Sequence, residues 1–310
     1  MSRRERHSKK KTKRKWPKVV GIIALLLVLA VGGYAVYLYQ SVASTVGKMH
    51  EERGPSEKRD QQIDIGKKDP ISILLMGVDE RPGDKGRTDT LIVVSVNPRT
   101  NSMEMLSIPR DTRVELVGRG VQDKINHAYA FGGVDMTIDT VENFLDVPID
   151  YYVKVNMEGL KQIVDALGGV QVNNTFAFSH DGASFAEGPL TLSGEQALSY
   201  ARMRYDDPRG DFGRQDRQKQ VIQGIIDKGA NLSSITKIDD ILGALGTNVT
   251  TNVSFDEMKT IQANYKDARH KIEQYSINGV GQTLDRWYYI VSEEERQAVS
   301  ARLKNHLEIQ

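Results

Sequence analysis

The segment from Val19 to Tyr39, VVGIIALLLVLAVGGYAVYLY, contains no charged residue in 21 positions. As an α-helix it would be about 31 Å long, which matches the hydrocarbon core of a bilayer. A signal-peptide core is usually about 7–15 residues long, so this segment is too long for that interpretation. Trp16 precedes it and tyrosines cluster at its far end, as in interfacial aromatic belts. We therefore predict one transmembrane helix over residues 19–39.

The residues before this segment determine its orientation. Residues 1–18 contain ten Lys and Arg residues and one acid, Glu5. Positive charge next to a span stays on the cytoplasmic side. We therefore predict a cytoplasmic tail over residues 1–18, a single-pass type II cell membrane protein, and an extracellular remainder. A nucleic-acid patch is the alternative for the basic residues, but their position favours topology, so we expect no nucleic-acid partner.

The remainder of the chain is mildly acidic and lacks the motifs of several enzyme classes. Outside residues 1–18 there are 32 basic and 40 acidic residues, a net charge of −8, so this part is not a general polyanion binder. The absence of cysteine excludes disulfides, thiolate catalysis and Cys-ligated zinc, and the six histidines have no ligand spacing. There is no P-loop, no GxGxxG and no GxSxG motif.

Residues 40–69 are polar and lack a sustained apolar stripe. We predict that they form an extracellular stalk or linker, and that the ordered extracellular domain covers residues 70–310.

Short apolar strands alternate with helical patterns from residue 70 onward. Predicted strands are 71–79, 88–97, 102–109, 149–156 and 272–277, and predicted helices are 134–145, 157–169 and 213–231. Pro98 and Asn101 predict a hairpin between the second and third strands. Capping boxes are predicted for Ser193 with Gln196, Ser254 with Glu257 and Ser292 with Glu295. The alternation predicts an α/β sandwich, and the hairpin makes its sheet mixed.

Charged residues stand at the ends of the predicted strands, where α/β folds place their ligands. Asp79 ends the first strand, the segment GRTDT supplies Arg87 and Asp89, and PRD supplies Arg110 and Asp111. A single acid at such a position is usually a turn or helix cap. Two acids on adjacent strands can instead hold Mg²⁺ and leave octahedral positions for water and phosphate oxygens. We therefore predict a magnesium site at Asp79 and Asp89.

Five arginines stand in YARMRYDDPRGDFGRQDRQKQ, residues 200–220. Arg202 and Arg204 would point to the same side of an extended segment. Arg214 lies near the start of the next helix, where the dipole favours an anion. Guanidinium groups match phosphate geometry and stay charged. The alternative is a solvated set of ion pairs with neighbouring aspartates. Together with the paired acids, the pattern favours a clamp for phosphate or pyrophosphate.

Four segments together resemble the LytR-CpsA-Psr family of Gram-positive bacteria: GVDERPGDKGRTDT, SIPRDT, KINHAYAFGG and RMRYDDPRGDFGRQDRQKQVI. The resemblance covers essentially residues 70–310, and the basic tail and single span also fit. It implies an α-β-α sandwich with a central mixed sheet. It also implies an enzyme that transfers a glycopolymer, typically wall teichoic acid, from undecaprenyl pyrophosphate to a hydroxyl of peptidoglycan N-acetylmuramic acid.

The resemblance implies roles for individual residues. The family's magnesium-binding acids are matched by Asp79 and Asp89. Its pyrophosphate-binding arginines are matched by Arg87, Arg110, Arg202 and Arg204. Further active-site positions are matched by Asp211, Arg214 and Gln218. We expect Arg110 and Asp211 to act in catalysis, Asp211 by orienting or deprotonating the acceptor hydroxyl. Arg214 and Gln218 are expected to contact the pyrophosphate.

Other functions remain compatible with parts of the sequence. A non-catalytic sensor of polyprenyl-pyrophosphate wall precursors would use the same clamp, and only turnover separates it from an enzyme. A phosphohydrolase would use the same site with water as acceptor. A transcription regulator would need its domain in the cytoplasm, which the predicted topology argues against.

Overall fold

The computed structural model describes residues 16–80, 83–230, 243, 246 and 248–310, with the backbone alone at 16–31, 35 and 230. The chain divides into two compact units, Met1–Ser44 and Thr45–Gln310.

Helix α1 spans Trp16–Met49 and contains the segment predicted to cross the membrane. Residues 1–15 of the predicted cytoplasmic tail lie outside the described residues. Among the helices that the structure describes, none has both the length and the apolar character that a bilayer crossing requires.

The compact domain starts earlier than Pro70, where the sequence placed its boundary. Thr45 and the residues after it belong to the second unit. Arg59 fixes this segment, since its Nε and Nη2 donate to the two carboxylate oxygens of Asp150 at 2.8 and 2.6 Å. The prediction of a linker over 40–69 is therefore wrong in its extent. The segment is ordered by polar contacts that join residues distant in sequence and by a few buried apolar side chains such as Val46 and Met49. These apolar residues are too sparse to form a stripe that the sequence would reveal.

Strands and helices alternate along Thr45–Gln310, as predicted. The strands are β1 (Ile71–Val78), β2 (Thr88–Asn97), β3 (Ser102–Ser107), β4 (Arg113–Leu116), β5 (Val121–Lys124), β6 (Tyr151–Asn156), β7 (Val170–Asn174), β8 (Phe178–His180), β9 (Ala183–Phe185), β10 (Gly188–Leu192), β11 (Val249–Thr251), β12 (Ile272–Ser276), β13 (Val280–Thr283) and β14 (Trp287–Ile290). The helices are α2 (His127–Leu145), α3 (Met157–Ala166), α4 (Gly194–Arg202), α5 (Asp211–Ala230), one over Phe255–Tyr265 and a C-terminal one over Glu293–Leu307.

The central sheet has six strands in the order β11-β6-β1-β2-β3-β12. Strands β1, β2 and β3 form an antiparallel meander, whereas β6 runs parallel to β1 and β12 parallel to β3. The β2–β3 hairpin turns at Asn101, whose φ is 49°. The sheet is therefore mixed, and the predicted hairpin is confirmed.

Helices cover both faces of this sheet. In β2, Leu91 and Val93 point into a core shared with α2 and the C-terminal helix. Ile92 and Val94 point to the opposite side, into a core shared with the helix Phe255–Tyr265. Burial of both faces explains why this strand reads as a continuous apolar run. The result is the three-layer arrangement that the family resemblance implied.

Two predicted helix starts need correction. Helix α2 begins at His127 rather than at residue 134, and it is kinked at Gly133, where φ is 68°. The Ser292 side chain accepts from the Glu295 N–H at 3.2 Å, as in a capping box. However, the Glu295 carboxylate accepts from Asn278 instead of closing the box. The boxes at Ser193 and Ser254 are complete.

A buried ion pair lies within the arginine-rich stretch. Arg217 Nη1 and Asp207 Oδ2 are 2.5 Å apart, and both side chains are almost fully buried. Arg217 also donates to the backbone carbonyls of Tyr200 and Met203, at 3.0 and 2.5 Å. A Cβ at Gly213 would overlap the Asp207 carboxylate. Arg217 therefore joins α4 to α5 and serves the fold rather than a ligand.

We expect Arg217→Ala to lower the free energy of unfolding by about 3–5 kcal/mol, because it leaves a buried carboxylate without its partner. Urea denaturation would measure this. Arg209→Ala is the control, since Arg209 is half exposed, pairs with Asp216 at 2.6 Å and lies 3.8 Å from Asp207. Its change should stay below about 1 kcal/mol. Equal losses in the two variants would contradict the structural role of Arg217.

The end of the C-terminal helix is fixed to the β2–β3 hairpin by His306. Its Nδ1 bonds the buried Ser95 hydroxyl, and its Nε2 lies 2.9 Å from Ser102 Oγ. Asn97 Nδ2 donates to the His306 carbonyl at 2.9 Å. Burial lowers the pKa of His306, although nearby Glu104 partly opposes the shift. The imidazole is thus held neutral, with one ring nitrogen accepting a hydrogen bond.

This arrangement predicts a stability that depends on pH. Because the folded pKa is below the unfolded value, the contribution is complete above the ordinary histidine pKa of about 6.5 and is lost as the pH falls from there through the lower folded pKa. We expect the difference in unfolding free energy between the unaltered protein and His306→Gln to shrink from pH 8 to pH 5 in urea titrations. The exposed His270, changed to Gln, is the control, and a difference that shrinks equally in both variants would contradict the role of His306.

Candidate active site

Two carboxylates lie at one edge of the sheet because β1 and β2 are antiparallel neighbours. Asp79 follows β1, and its N–H donates to the Arg87 carbonyl at 3.2 Å. Asp89 lies in a β-bulge, where the register shifts between Gly77 and Val78. A bulge leaves one residue unpaired and redirects its side chain. Strand pairing thus brings together the two acids that the sequence singled out.

Arg110 follows β3 and neutralises this acidic edge. Its Nη1 donates to Asp89 Oδ1 at 2.6 Å, and its Nε lies 3.8 Å from Asp111 Oδ2. Burial lowers the pKa of Arg110, but Asp89, Asp111 and Asp211 outweigh this effect and the net pKa is raised. Lys124 Nζ donates to Asp111 Oδ1 at 2.6 Å and so fixes the neighbouring carboxylate. Arg110 is therefore a permanent cation next to the paired acids.

Three arginines of the 200–220 stretch pair with acids that the sequence had placed in the active site. Arg202 Nη2 lies 3.8 Å from Asp79 Oδ2, and Arg204 Nε lies 3.6 Å from Asp211 Oδ1. Arg214 Nη2 lies 2.6 Å from the same Asp211 oxygen. Arg202 is the last residue of α4, so the predicted extended segment begins only at Met203. The two arginines nevertheless reach the predicted acids.

The pKa of Arg214 indicates that several positive charges lie close together at this site. Burial lowers the pKa of Arg214, and repulsion from Arg110 and Arg204 adds to this shift, while Asp211 and Asp89 oppose it. A guanidinium still stays protonated at neutral pH. Several cations held close together favour a multiply charged anion, because its charge relieves their mutual repulsion.

Unsatisfied polar atoms concentrate in the same region. Among the described residues, buried side-chain atoms without a hydrogen-bond partner include Thr88 Oγ1, Arg110 Nε, Asn126 Oδ1, Arg214 Nε and Gln215 Oε1. Thr88 precedes Asp89, and the Asn126 N–H donates to the Arg110 carbonyl at 3.2 Å. Buried polar groups are nearly always paired in folded proteins. Such a concentration is typical of a binding site for a polar ligand.

Two of the predicted residues stand apart from this network. The side chain of Arg87 is exposed and that of Gln218 is half-buried. Within the described part of the chain, neither side chain forms an ion pair or a hydrogen bond with the cluster. Both remain predictions as ligand contacts.

Sequence reasoning missed two supporting residues. Gln215 Nε2 donates to Asp211 Oδ2 at 2.9 Å, and Lys124 holds Asp111. Gln215 could have been found, because residues four apart on a helix are neighbours. Lys124 reaches the site from the β4–β5 hairpin, which the sequence did not reveal.

The paired acids provide a partial donor set for a cation. Asp79 and Asp89 are each about one quarter exposed at their side chains. Among the described residues, no group of three or more acidic or histidine side chains could enclose a metal ion. Mg²⁺ commonly takes one or two carboxylates and completes its octahedron with water and phosphate oxygens. The residues present therefore fit Mg²⁺ bound together with a phosphorylated ligand.

Comparison with known proteins identifies the family. The LytR_cpsA_psr family pattern matches residues 36–305. The chain belongs to this family. It is 57% identical over 309 residues to the polyisoprenyl-teichoic acid–peptidoglycan teichoic acid transferase TagU of Bacillus subtilis (strain 168), covering 99% of each chain.

Solved structures of family members agree with the fold. The crystal structure of B. subtilis TagU has a TM-score of 0.65 and 55% identity, over 78% of this chain and 99% of that one. A structure of TagT bound to LIIa-WTA has a TM-score of 0.72 and 32% identity, over 84% and 100% of the two chains. The fold thus belongs to a family that includes a structure with a bound ligand.

The arginine cluster predicts tight binding of inorganic pyrophosphate. Arg204→Ala should weaken binding by roughly 10–100-fold, because charge-assisted hydrogen bonds contribute about 1.5–3 kcal/mol each. Isothermal titration calorimetry would measure the affinity. Arg209→Ala removes an arginine of the same stretch that pairs with Asp216 instead, and it should bind like the unaltered protein. Equal affinity in all three proteins would rule out a clamp at this site.

Proposed function

We propose that the protein is a phosphotransferase of cell wall assembly. It transfers a glycopolymer from undecaprenyl pyrophosphate to a hydroxyl of peptidoglycan N-acetylmuramic acid, and the proposed polymer is wall teichoic acid. The observation that carries this proposal is the pairing of four arginines with the acids at one edge of the sheet. The names of relatives at 50–57% identity, all teichoic acid transferases, support it.

In the proposed reaction, the acceptor hydroxyl oxygen attacks the phosphorus that carries the polymer. A new P–O bond forms there, the P–O bond to the lipid phosphate breaks, and undecaprenyl phosphate leaves. Asp211 accepts a hydrogen bond from the hydroxyl and receives its proton. Gln215 and Arg214 hold the Asp211 carboxylate in place for this role.

The arginines stabilise the charge that develops on the phosphates. Preorganised donors in a partly buried site act without reorganising during the reaction, which is the basis of their effect on rate. Arg110 and Arg214 are buried or half-buried and are already oriented by Asp89 and Asp211. A bound pyrophosphate would share these donors with the carboxylates.

Asp79 and Asp89 are the residues that would hold Mg²⁺. When bound together with the substrate, the ion would neutralise negative charge on the phosphate groups.

We also propose that residues 19–39 anchor the protein in the cell membrane as a single-pass span. Residues 1–18 would then lie in the cytoplasm and the domain outside the cell. A lipid-linked donor stays at the bilayer surface, so tethering the enzyme there raises the effective concentration of the two partners.

Arg110→Ala should lower the rate of transfer by about 10²–10³-fold, as expected for losing a donor to a developing charge. The full-length protein in detergent would be incubated with a synthetic lipid-pyrophosphate-linked disaccharide and uncrosslinked peptidoglycan. Mass spectrometry would detect the sugar–phosphate–glycan product. Removal of Mg²⁺ by a chelator should also abolish the product, and added Mg²⁺ should restore it.

The control for this experiment is Arg209→Ala, which should transfer at the normal rate. Circular dichroism would establish that Arg110→Ala is folded. Full activity of a folded Arg110→Ala protein would refute the proposed role. Donor binding without any transfer or lipid phosphate release would favour the sensor function instead.

A further inference from the structure

The β13–β14 hairpin carries an aromatic side chain to the rim of the site. Trp287 is 42% exposed. The hairpin is fixed through Tyr289, whose N–H donates to the Asp111 carbonyl at 2.9 Å. The Tyr289 ring also meets Phe212 edge-on, with 5.8 Å between centroids. Asp111 and Phe212 each follow a proposed catalytic residue directly in sequence, so the hairpin has a fixed position relative to the reaction centre.

The indole of Trp287 forms a flat platform. A Cβ at Gly281 would stand 3.0 Å from Cζ2 of the indole, so the ring lies directly on this glycine. Lys124 Nζ lies 5.9 Å from the ring centroid and also donates to Asp111. A ring that rests on backbone, stays partly exposed and has a hydrogen-bond donor beside it suits a sugar ring. A pyranose presents an apolar C–H face to the aromatic ring and polar hydroxyls at its rim.

A second exposed aromatic ring lies on the acidic side of the site. Phe131 is 45% exposed, and the Arg119 guanidinium stacks 3.8 Å from its centroid. Phe131 lines a cavity of about 650 Å³ together with Glu80 and Tyr129. This volume lies within the usual range for small-ligand sites, about 300–1,000 Å³. Glu80 follows Asp79 directly, so the cavity adjoins the proposed magnesium-binding acids.

Polar contacts connect the two platforms. The His127 ring meets Phe131 edge-on at 6.3 Å, and its Nδ1 lies 2.8 Å from Asp123 Oδ2. Asp123 Oδ1 lies 3.8 Å from Arg286 Nη1, and Arg286 directly precedes Trp287. A continuous strip of groups that can hydrogen-bond sugar hydroxyls therefore runs from one ring to the other.

We propose that Trp287 and Phe131 are stacking subsites for the acceptor glycan strand, an inference that rests on the proposed transferase function. A glycan strand that is modified at an internal sugar continues on both sides of the attacking hydroxyl. The two rings connect to the reaction centre through different residues, Trp287 through the Tyr289–Asp111 hydrogen bond and Phe131 through the cavity that Glu80 also lines. The polymer of the donor leaves its phosphate in one direction and would need a subsite on one side only.

Binding can be tested by fluorescence because the chain has two tryptophans, Trp16 and Trp287. In the full-length Trp16→Phe protein in detergent, the emission reports Trp287 alone. Glycan strands of peptidoglycan without stem peptides should change this emission in a saturable manner. The lipid-pyrophosphate-linked disaccharide alone should leave it unchanged. A change caused by the donor and not by the glycan, or no change with glycan, would overturn the proposal.

Kinetics test the same subsites without using Trp287 fluorescence. Trp287→Ala and Phe131→Ala should each raise KM for glycan strands by about tenfold, equivalent to ~1.4 kcal/mol. KM for the donor should change by less than about twofold, and Trp287→Phe should recover most of the glycan affinity. Val280→Ala is the control, since Val280 lies on the opposite face of the same hairpin.

The outcomes separate this inference from the proposed function. Unchanged KM for glycan in both alanine variants, or equal rises for donor and glycan, would contradict the acceptor subsites while transfer itself persists. If the unaltered protein transfers nothing, the proposed function fails, and the fluorescence titration still decides whether glycan binds at Trp287.

Discussion

The pairing of carboxylates with guanidinium groups at the edge of β1 and β2 is the interaction on which the site depends. The acids reach this edge because the two strands are antiparallel and because a bulge redirects Asp89. Without the arginines, the acids would repel one another in a partly buried setting. Without the acids, the guanidinium groups of Arg110, Arg204 and Arg214 would repel one another. Each set of charges offsets the repulsion within the other. Together they form a preorganised surface for a phosphorylated ligand.

The arginine-rich stretch combines two functions in neighbouring residues. Arg217 is buried against Asp207 and backbone carbonyls, and it ties α4 to α5. Arg204 lies in the connection between α4 and α5, and Arg214 lies in the first turn of α5. Both pair with Asp211. The structural pair therefore fixes the segment from which the proposed ligand-binding arginines project. Charge, position in the sequence and burial do not separate these roles, because Arg214 is almost as buried as Arg217. The bonding partners distinguish them, since Arg217 bonds backbone carbonyls and Asp207 whereas Arg214 pairs with Asp211.

Local signals in the sequence predicted most of the fold. The strands of the central sheet, the hairpin at Asn101 and the capping boxes at Ser193 and Ser254 depend on residues close together in the chain. The acids and most of the arginines were also found, because strand ends and residue types indicate their chemistry. What was missed depends on distant partners. Residues 45–69 are held by ion pairs such as Arg59 with Asp150 and by scattered apolar side chains such as Val46 and Met49. The Arg59–Asp150 pair joins segments some ninety residues apart, and no sustained apolar pattern marks the segment as packed.

The order of strands in the sheet also has a consequence for the folding of the newly made chain. Strands β1 to β3 can pair early, because only residues 79–87 separate β1 from β2 and only residues 98–101 separate β2 from β3. The free edge of β3 is covered only by β12, where Ile272 pairs with Met103 across most of the domain sequence. Pairings between distant segments form slowly, and an unpaired strand edge is a template for association with other chains. The time that β12 needs to reach β3 therefore sets how long the unfinished sheet is open to aggregation.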